Sequence, residues 1–183
     1  PPGWKVENTG HAKWQSLKNT GEGGNAYAGL KCMYLANSFF GDQSDAWLIS
    51  PAMQVEAGKK YSISFYYKNQ VDNANRLEVT IGNDTTAASQ TVVIWKNKFT
   101  TTYYTEAQIN YTATETGTKY FALHCTTPTT YTYLYVDNFL AREVSTFESP
   151  DLQISEVTTT SAHASWKRIG AAAQYLYGYS ETM

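Results

Sequence analysis

A chain of 183 residues that is 42% hydrophobic and 15% aromatic can bury a full core, and has room for one domain and part of a second. Its 16% charged residues and net charge of −2 leave it without the basic surface that nucleic-acid binding needs. No apolar run reaches the ~18 residues of a membrane span, and 15 Tyr with 5 Trp exclude disorder. Thr, Tyr, Val and Phe suit pleated, half-buried surfaces, so the composition points to an all-β protein.

Pro1-Pro2-Gly3-Trp4 reads as a turn inside a domain, and the expectation is that the sequence begins after a removed leader. Residues 1–29 read as short irregular segments held by Trp4, Trp14 and Tyr27. Strands follow at Leu30–Leu35 and Trp47–Ser50, with a turn over Phe39–Asp45 between them; Met53 and Val55 continue the alternation. Tyr61 to Lys68 gives the strongest two-residue period: Tyr61, Ile63, Phe65 and Tyr67 share one face, and Ser62, Ser64, Tyr66 and Lys68 the other. Further strands are predicted at Leu77–Ile81, Thr91–Trp95, Thr105–Tyr111, Lys119–Cys125 and Tyr131–Leu140, with turn residues between them. No run of a dozen residues carries helical periodicity. Many short strands at close spacing predict a two-sheet sandwich. Composition shifts at Ser145–Pro150. Beyond it, Leu152–Val157, Ala162–Trp166 and Tyr175–Tyr179 read as three more strands.

No nucleophile motif, zinc-protease motif or phosphate loop is present. His11, His124 and His163 read as surface or packing residues. Glu78, Glu106 and Glu115 are scattered, with no glycosidase pair legible. Cys32 and Cys125 either form one bridge or sit apart as small buried hydrophobes. Asp137 lies in an apolar strand between Val136 and Asn138, where a carboxylate is costly to bury unless it is paired or binds a metal. Two readings stand for it: a metal ligand, or an outward-facing carboxylate in a hydrogen bond near a turn. Asp45, before the Trp47 strand, is the second metal candidate and Asp42 the third. Trp95, Tyr66, Tyr103, Tyr104, Tyr131 and Tyr133 are candidates for a sugar-stacking platform, the alternative being cross-strand packing.

The series Pro1-Pro2-Gly3-Trp4, Trp14, Trp47-Leu48-Ile49-Ser50-Pro51-Ala52, Ala57–Phe65, Leu77-Glu78-Val79 and Tyr135-Val136-Asp137-Asn138-Phe139 resembles the cleaved-adhesin or choice-of-anchor J family of Bacteroidetes surface proteins, related in architecture to MAM domains. The resemblance covers roughly residues 1–145 and implies a jelly-roll β-sandwich. It also implies a structural Ca²⁺ with an Asp in the last strand, which falls on Asp137. Family members carry a further strand before the Pro-Gly-Trp turn, absent from this sequence. Pro150-Asp151-Leu152, Thr159–Ala162, Trp166 and Tyr175 resemble the first three strands of a fibronectin type III domain. The expected organisation is a jelly-roll domain over 1–147 and a partial fibronectin type III segment over 148–183.

The expected function is a non-catalytic, secreted or surface-exposed adhesion module that recognises an extracellular protein or a glycan. The alternatives are an accessory carbohydrate-binding module of a secreted hydrolase and a structural spacer. Self-association through the incomplete C-terminal strands is a further expectation.

Overall fold

In the computed structural model, residues 2–8, 12–18, 25–37, 43–128, 131–144 and 153–165 are described. The alternation of Tyr61–Lys68 becomes the ten-residue strand β6 (Lys60–Asn69), with every second side chain buried. Around it the chain forms β1 (Lys5–Asn8), β2 (Trp14–Lys18), β3 (Lys31–Asn37), β4 (Ala46–Ile49), β5 (Met53–Val55), β7 (Asn75–Gly82), β8 (Val92–Phe99), β9 (Thr105–Thr112), β10 (Gly117–Cys125) and β11 (Thr132–Glu143). Among the described residues, one 3₁₀ turn, Ala87–Ser89, interrupts this pattern.

Two antiparallel sheets result. One runs β1-β4-β10-β7-β8, with β5 also paired to β10; the other runs β2-β3-β11-β6-β9. The links from β3 to β4, β5 to β6, β6 to β7, β8 to β9, β9 to β10 and β10 to β11 all cross between sheets, the winding expected of a jelly roll. Leu35, Phe65, Leu77, Phe121, Leu123 and Leu134 fill the space between the sheets. Each stabilises the sandwich by roughly 1.5–3 kcal/mol of apolar burial. Trp14 of β2 donates its indole N–H to the Ala46 carbonyl of β4 at 3.0 Å, tying one sheet to the other.

A buried polar network closes one end. Asn75 Nδ2 donates to Asn69 Oδ1 at 2.7 Å. Asn69 Nδ2 donates to the carbonyls of Asn73 at 2.7 Å and Phe99 at 3.2 Å. Thr127 Oγ1 donates to Asn75 Oδ1 at 2.9 Å. Polar groups so deeply buried are tolerated because they satisfy one another. They fix the connections after β6, β8 and β10 in one arrangement.

One expectation is corrected. Residues 1–29 are not wholly irregular: Lys5–Asn8 pairs with β4 and Trp14–Lys18 with β3. The cysteines take the unbridged one of their two readings: Cys32 and Cys125 are both buried thiols outside any disulfide. Cys125 joins the core, whereas Cys32 alternates with the inward residues Met33 and Leu35 and so points the other way.

The chain divides into two units, Pro1–Val144 and Ser145–Met183. Within the second, β12 (Gln153–Ser155) and β13 (His163–Ser165) pair as an antiparallel hairpin whose residues are all exposed. Trp166 and the Tyr175 strand lie outside the described residues, as do His11 and Asp42.

Candidate functional site

The same alternation that buries Leu35, Phe65, Leu134 and Val136 turns Tyr34, Tyr66, Lys68, Tyr133 and Tyr135 onto the outer face of the five-stranded sheet. Their rings form a continuous run. Tyr131 meets Tyr133 edge-on at 5.8 Å, and Tyr133 lies 6.2 Å from Tyr34. Tyr34 in turn stacks over Tyr135 at 6.4 Å. Lys68 places its ammonium 5.4 Å from the Tyr135 ring and 4.8 Å from that of Tyr104, bridging the run through cation–π contacts. Tyr104 then meets Tyr27 at 5.4 Å, and Tyr27 stacks flat on Tyr66 at 3.7 Å. Tyr34 also donates its hydroxyl to Gln15 Oε1 at 3.2 Å. An array of rings with polar tips can stack on apolar faces of a ligand while hydrogen-bonding its hydroxyls.

Asp137 holds the far end of this face. Its Oδ2 accepts the backbone N–H groups of Tyr27 at 2.9 Å and Ala28 at 3.0 Å. Its Oδ1 accepts the N–H of Asn138 at 2.7 Å. The carboxylate straps residues 25–29 across the sheet, and Tyr104 adds a hydroxyl bond to the Asn25 carbonyl. A β-bulge makes this possible. Between Asp137 and Leu140 β11 gains one residue against β6, and Asn138 takes a left-handed φ of 54°. The bulge leaves Asp137 outward and returns Phe139 inward, against Trp4 at 5.0 Å. Asp137 also borders a cavity of about 410 Å³ whose walls include Trp4, Met33, Leu48, Leu123 and Phe139.

The burial beneath the tyrosines is felt in their acidity. Burial first, then the negative charge of Asp137, pushes the Cys32 thiol up from its ordinary value. Tyr104 is pushed up mainly by burial and next by Cys32, and Tyr135 likewise. The hydrogen bond with Tyr27, followed by partial burial, raises Tyr66 to about 12. These phenols keep their protons and act as donors throughout the neutral range.

Asp45 lies elsewhere. It is in the outward phase of β4 with Trp47, on the outer face of the other sheet. Its Oδ1 accepts the Trp47 indole N–H at 2.7 Å and lies 2.8 Å from His124 Nε2. The His124 ring stacks on Trp47 at 3.5 Å. Glu78 Oε2 is 3.4 Å from His124 Nδ1, which makes no hydrogen bond among the described residues. The structure therefore does not bring Asp45 and Asp137 together. They occupy opposite outer faces, and no group of three or more metal-ligating side chains occurs among the described residues. Glu78, Glu106 and Glu115 also stay apart: β7 of one sheet, β9 of the other, and the turn before β10, where Glu115 pairs with Lys119.

Of the platform candidates, Tyr66, Tyr104, Tyr131 and Tyr133 belong to the ring run. Trp95 does not: it turns inward and meets Phe65 edge-on at 5.6 Å and Tyr67 at 5.9 Å. Tyr103 is exposed on the loop before β9. Sequence reasoning missed Tyr34 and Tyr135, although each alternates with core residues and so carried the signal. It also missed Tyr27, for which no local pattern existed.

No family model matches the sequence. No curated protein matches it either. Solved structures do. The K1 cleaved adhesin domain of Lys-gingipain from Porphyromonas gingivalis W83 superposes with a TM-score of 0.60 at 15% identity, covering 78% of this chain and 91% of that one. The K3 cleaved adhesin domain of the same protein gives 0.58 at 15% identity over 77% and 90%. TmCBM61, solved in complex with β-1,4-galactotriose, gives 0.52 at 14% identity over 78% and 90%. At such identities the likeness is one of fold: this chain has the β-sandwich of cleaved adhesin and carbohydrate-binding domains.

Proposed function

We infer that this chain is a non-catalytic binding module of a secreted or surface-exposed protein, and that its ligand is a glycan lying across Tyr34, Tyr131 and Tyr133. The observation that carries this is the run of tyrosine rings on the outer face of the five-stranded sheet. Interior packing does not require it, because these rings stand outside the core. Tyr131 is 42% exposed, so part of it reaches solvent. The fold shared with a domain solved in complex with a galactotriose supports the reading.

The second reading is adhesion to an extracellular protein, supported by the fold shared with cleaved adhesin domains. Tyrosine suits both, since it is also enriched at protein interfaces. Residues 148–183 are read as the start of a fibronectin type III spacer that follows the binding module in the sequence.

A glycan array decides between the two readings. Selective binding to a neutral oligosaccharide, weakened at least ~10-fold by Tyr34→Ala or Tyr133→Ala, establishes the glycan; that factor corresponds to ~1.4 kcal/mol. An array with no selective signal, together with Tyr34-dependent binding to an extracellular matrix protein, establishes the adhesion reading.

A further inference from the structure

On the other sheet, far from the tyrosines in the alternation pattern, β7 and β8 bring three cations together. Arg76 stands directly opposite Lys98, and Lys96 opposite Glu78. Leu77, Val79, Trp95 and Phe99 point to the core, so Arg76, Lys96 and Lys98 share the outer face. Like charges directly opposite on neighbouring strands destabilise a sheet. Here no ion pair relieves them: none of the three lies within salt-bridge distance of a carboxylate among the described residues. Glu78, the acidic neighbour in the same rows, faces His124 instead.

The cations also wall two adjoining hollows. One, of about 260 Å³, is bordered by Arg76, Glu78, Lys96, Lys98 and Thr126. The other, of about 200 Å³, is bordered by Ala74, Arg76, Lys98 and Pro128. Arg76 and Lys98 border both. The backbone of Arg76 is held rigidly: its N–H donates to Thr127 Oγ1 at 2.8 Å and its carbonyl accepts the Thr126 N–H at 3.1 Å. Thr127 is itself locked into the buried asparagine network. The fixed backbone anchors the base of the Arg76 side chain beside Lys98, and its guanidinium carries a fork of donors suited to a planar or tetrahedral anion.

We propose that Arg76, Lys96 and Lys98 form a second binding surface, which takes the carboxylate or sulfate groups of an anionic polysaccharide. Two neighbouring hollows sharing their cations match repeated charges along one polymer better than a single small anion. Since the whole chain carries a net charge of −2, the attraction is local to this face and not a property of the protein at large. The surface is independent of the tyrosine face, so either can fail without the other.

The test is titration of the full chain with fluorescein-labelled heparin and, separately, with polygalacturonate, at low and physiological salt. The expected result is binding of at least one polymer, weakening with salt, and reduced at least ~10-fold by Arg76→Gln with Lys98→Gln. Binding of heparin alone assigns sulfate; binding of both assigns the shared anionic chemistry; polygalacturonate alone assigns carboxylate. The comparison variant is Lys13→Gln with Lys60→Gln, which removes the same charge from exposed positions outside the patch. Equal loss in both variants, equal binding of duplex DNA, or no binding of either polymer overturns the proposal. Relief of a like-charge pair keeps the patch variant folded, and a melting curve at or above that of the parent checks this. Tyr34→Ala leaves the polyanion titration unchanged.

Discussion

The carboxylate of Asp137 takes the backbone N–H of Tyr27 at 2.9 Å across 110 positions of the chain. With the bonds to Ala28 and Asn138, it receives three N–H donors. Hydrogen bonds to a charged acceptor contribute ~1.5–3 kcal/mol each when well buried, and this site is only partly so. Asp137→Ala is therefore expected to lower stability by about 2 kcal/mol, and Asp137→Asn by less, because the amide still accepts. Urea melts measure this. An Asp137→Ala protein that melts with the parent would show that the strap is not held by this side chain.

A structural Ca²⁺ at Asp137 is a proposal with its own test. Ca²⁺ takes 6–8 oxygens, usually several from carboxylates. The Asp137 oxygens accept N–H donors, and Asp45 is engaged with Trp47 and His124 on the opposite outer face, so the two would not share one ion. A Tm higher in excess Ca²⁺ than in chelator, with the difference lost in Asp137→Asn, makes the carboxylate a metal ligand. Coincident melts leave it as the acceptor of the strap alone.

Trp95 and Tyr133 should separate stability from binding. Trp95 packs edge-on against Phe65 and Tyr67, so Trp95→Ala opens a hole beside the core and costs about 3 kcal/mol. Tyr133 lies outside the core, so Tyr133→Ala costs under about 1 kcal/mol and acts on ligand binding. Chemical denaturation of both variants beside a binding titration distinguishes them. Loss of glycan selectivity in a folded Trp95→Ala protein would contradict the assignment of faces.

These two residues also show what the sequence could and could not tell. In β6, strict alternation of Tyr61, Ile63, Phe65 and Tyr67 with polar residues fixed both strand and face, because one side had to be buried. In β8 the phase is broken. Val79 pairs with Trp95 but Thr80 with Val93, so one extra residue leaves Val92 and Val93 both exposed and turns Trp95 inward. Nothing local in Thr91–Trp95 announces that bulge. The short strands Lys5–Asn8 and Trp14–Lys18 were illegible for another reason: their polar, edge-facing residues lack alternation, and partners far along the chain define them. The Asp137 strap is the extreme case, since its donors are backbone groups with no side-chain signature.

The lowered acidities predict an alkaline weakness. Cys32, Tyr66, Tyr104, Tyr133 and Tyr135 all hold their protons more tightly when folded. The unfolded thiol ionises near its ordinary value of 9.0 and the unfolded phenols near 10.0. Above those values the folded state binds more protons than the unfolded one, so stability falls as pH rises. It is fully present below pH 9 and declines from there to beyond pH 12, through the range set by Cys32 and Tyr66. Urea melts across this range should show the decline, and Tyr104→Phe should make it shallower. A flat profile up to the ionisation of Tyr66, followed by phenolate absorbance, would show that these groups are not perturbed by the fold.

The hairpin of β12 and β13 leads to the last prediction. Every residue in the two strands is exposed, and Ile154 and Val157 leave apolar surface in water at 55% and 70% exposure. A two-stranded hairpin is marginal in water on its own, because one pair of strands has no second layer to bury a face against. Among the described residues neither strand pairs with a third, and a strand edge of this kind can serve as a template for another strand. The full chain is therefore expected to self-associate through this hairpin, with a sedimentation coefficient that rises with protein concentration. Replacing Ile154 with Lys adds a charge at the exposed strand and should return the protein to monomer without altering the melt of the larger unit. Amide exchange provides the second readout: fast at 153–165 in dilute solution, slowed on association, and slow throughout in Tyr61–Asn69. A chain that stays monomeric at every concentration, with 153–165 already protected, would mean the hairpin is ordered within a single molecule and needs no second copy.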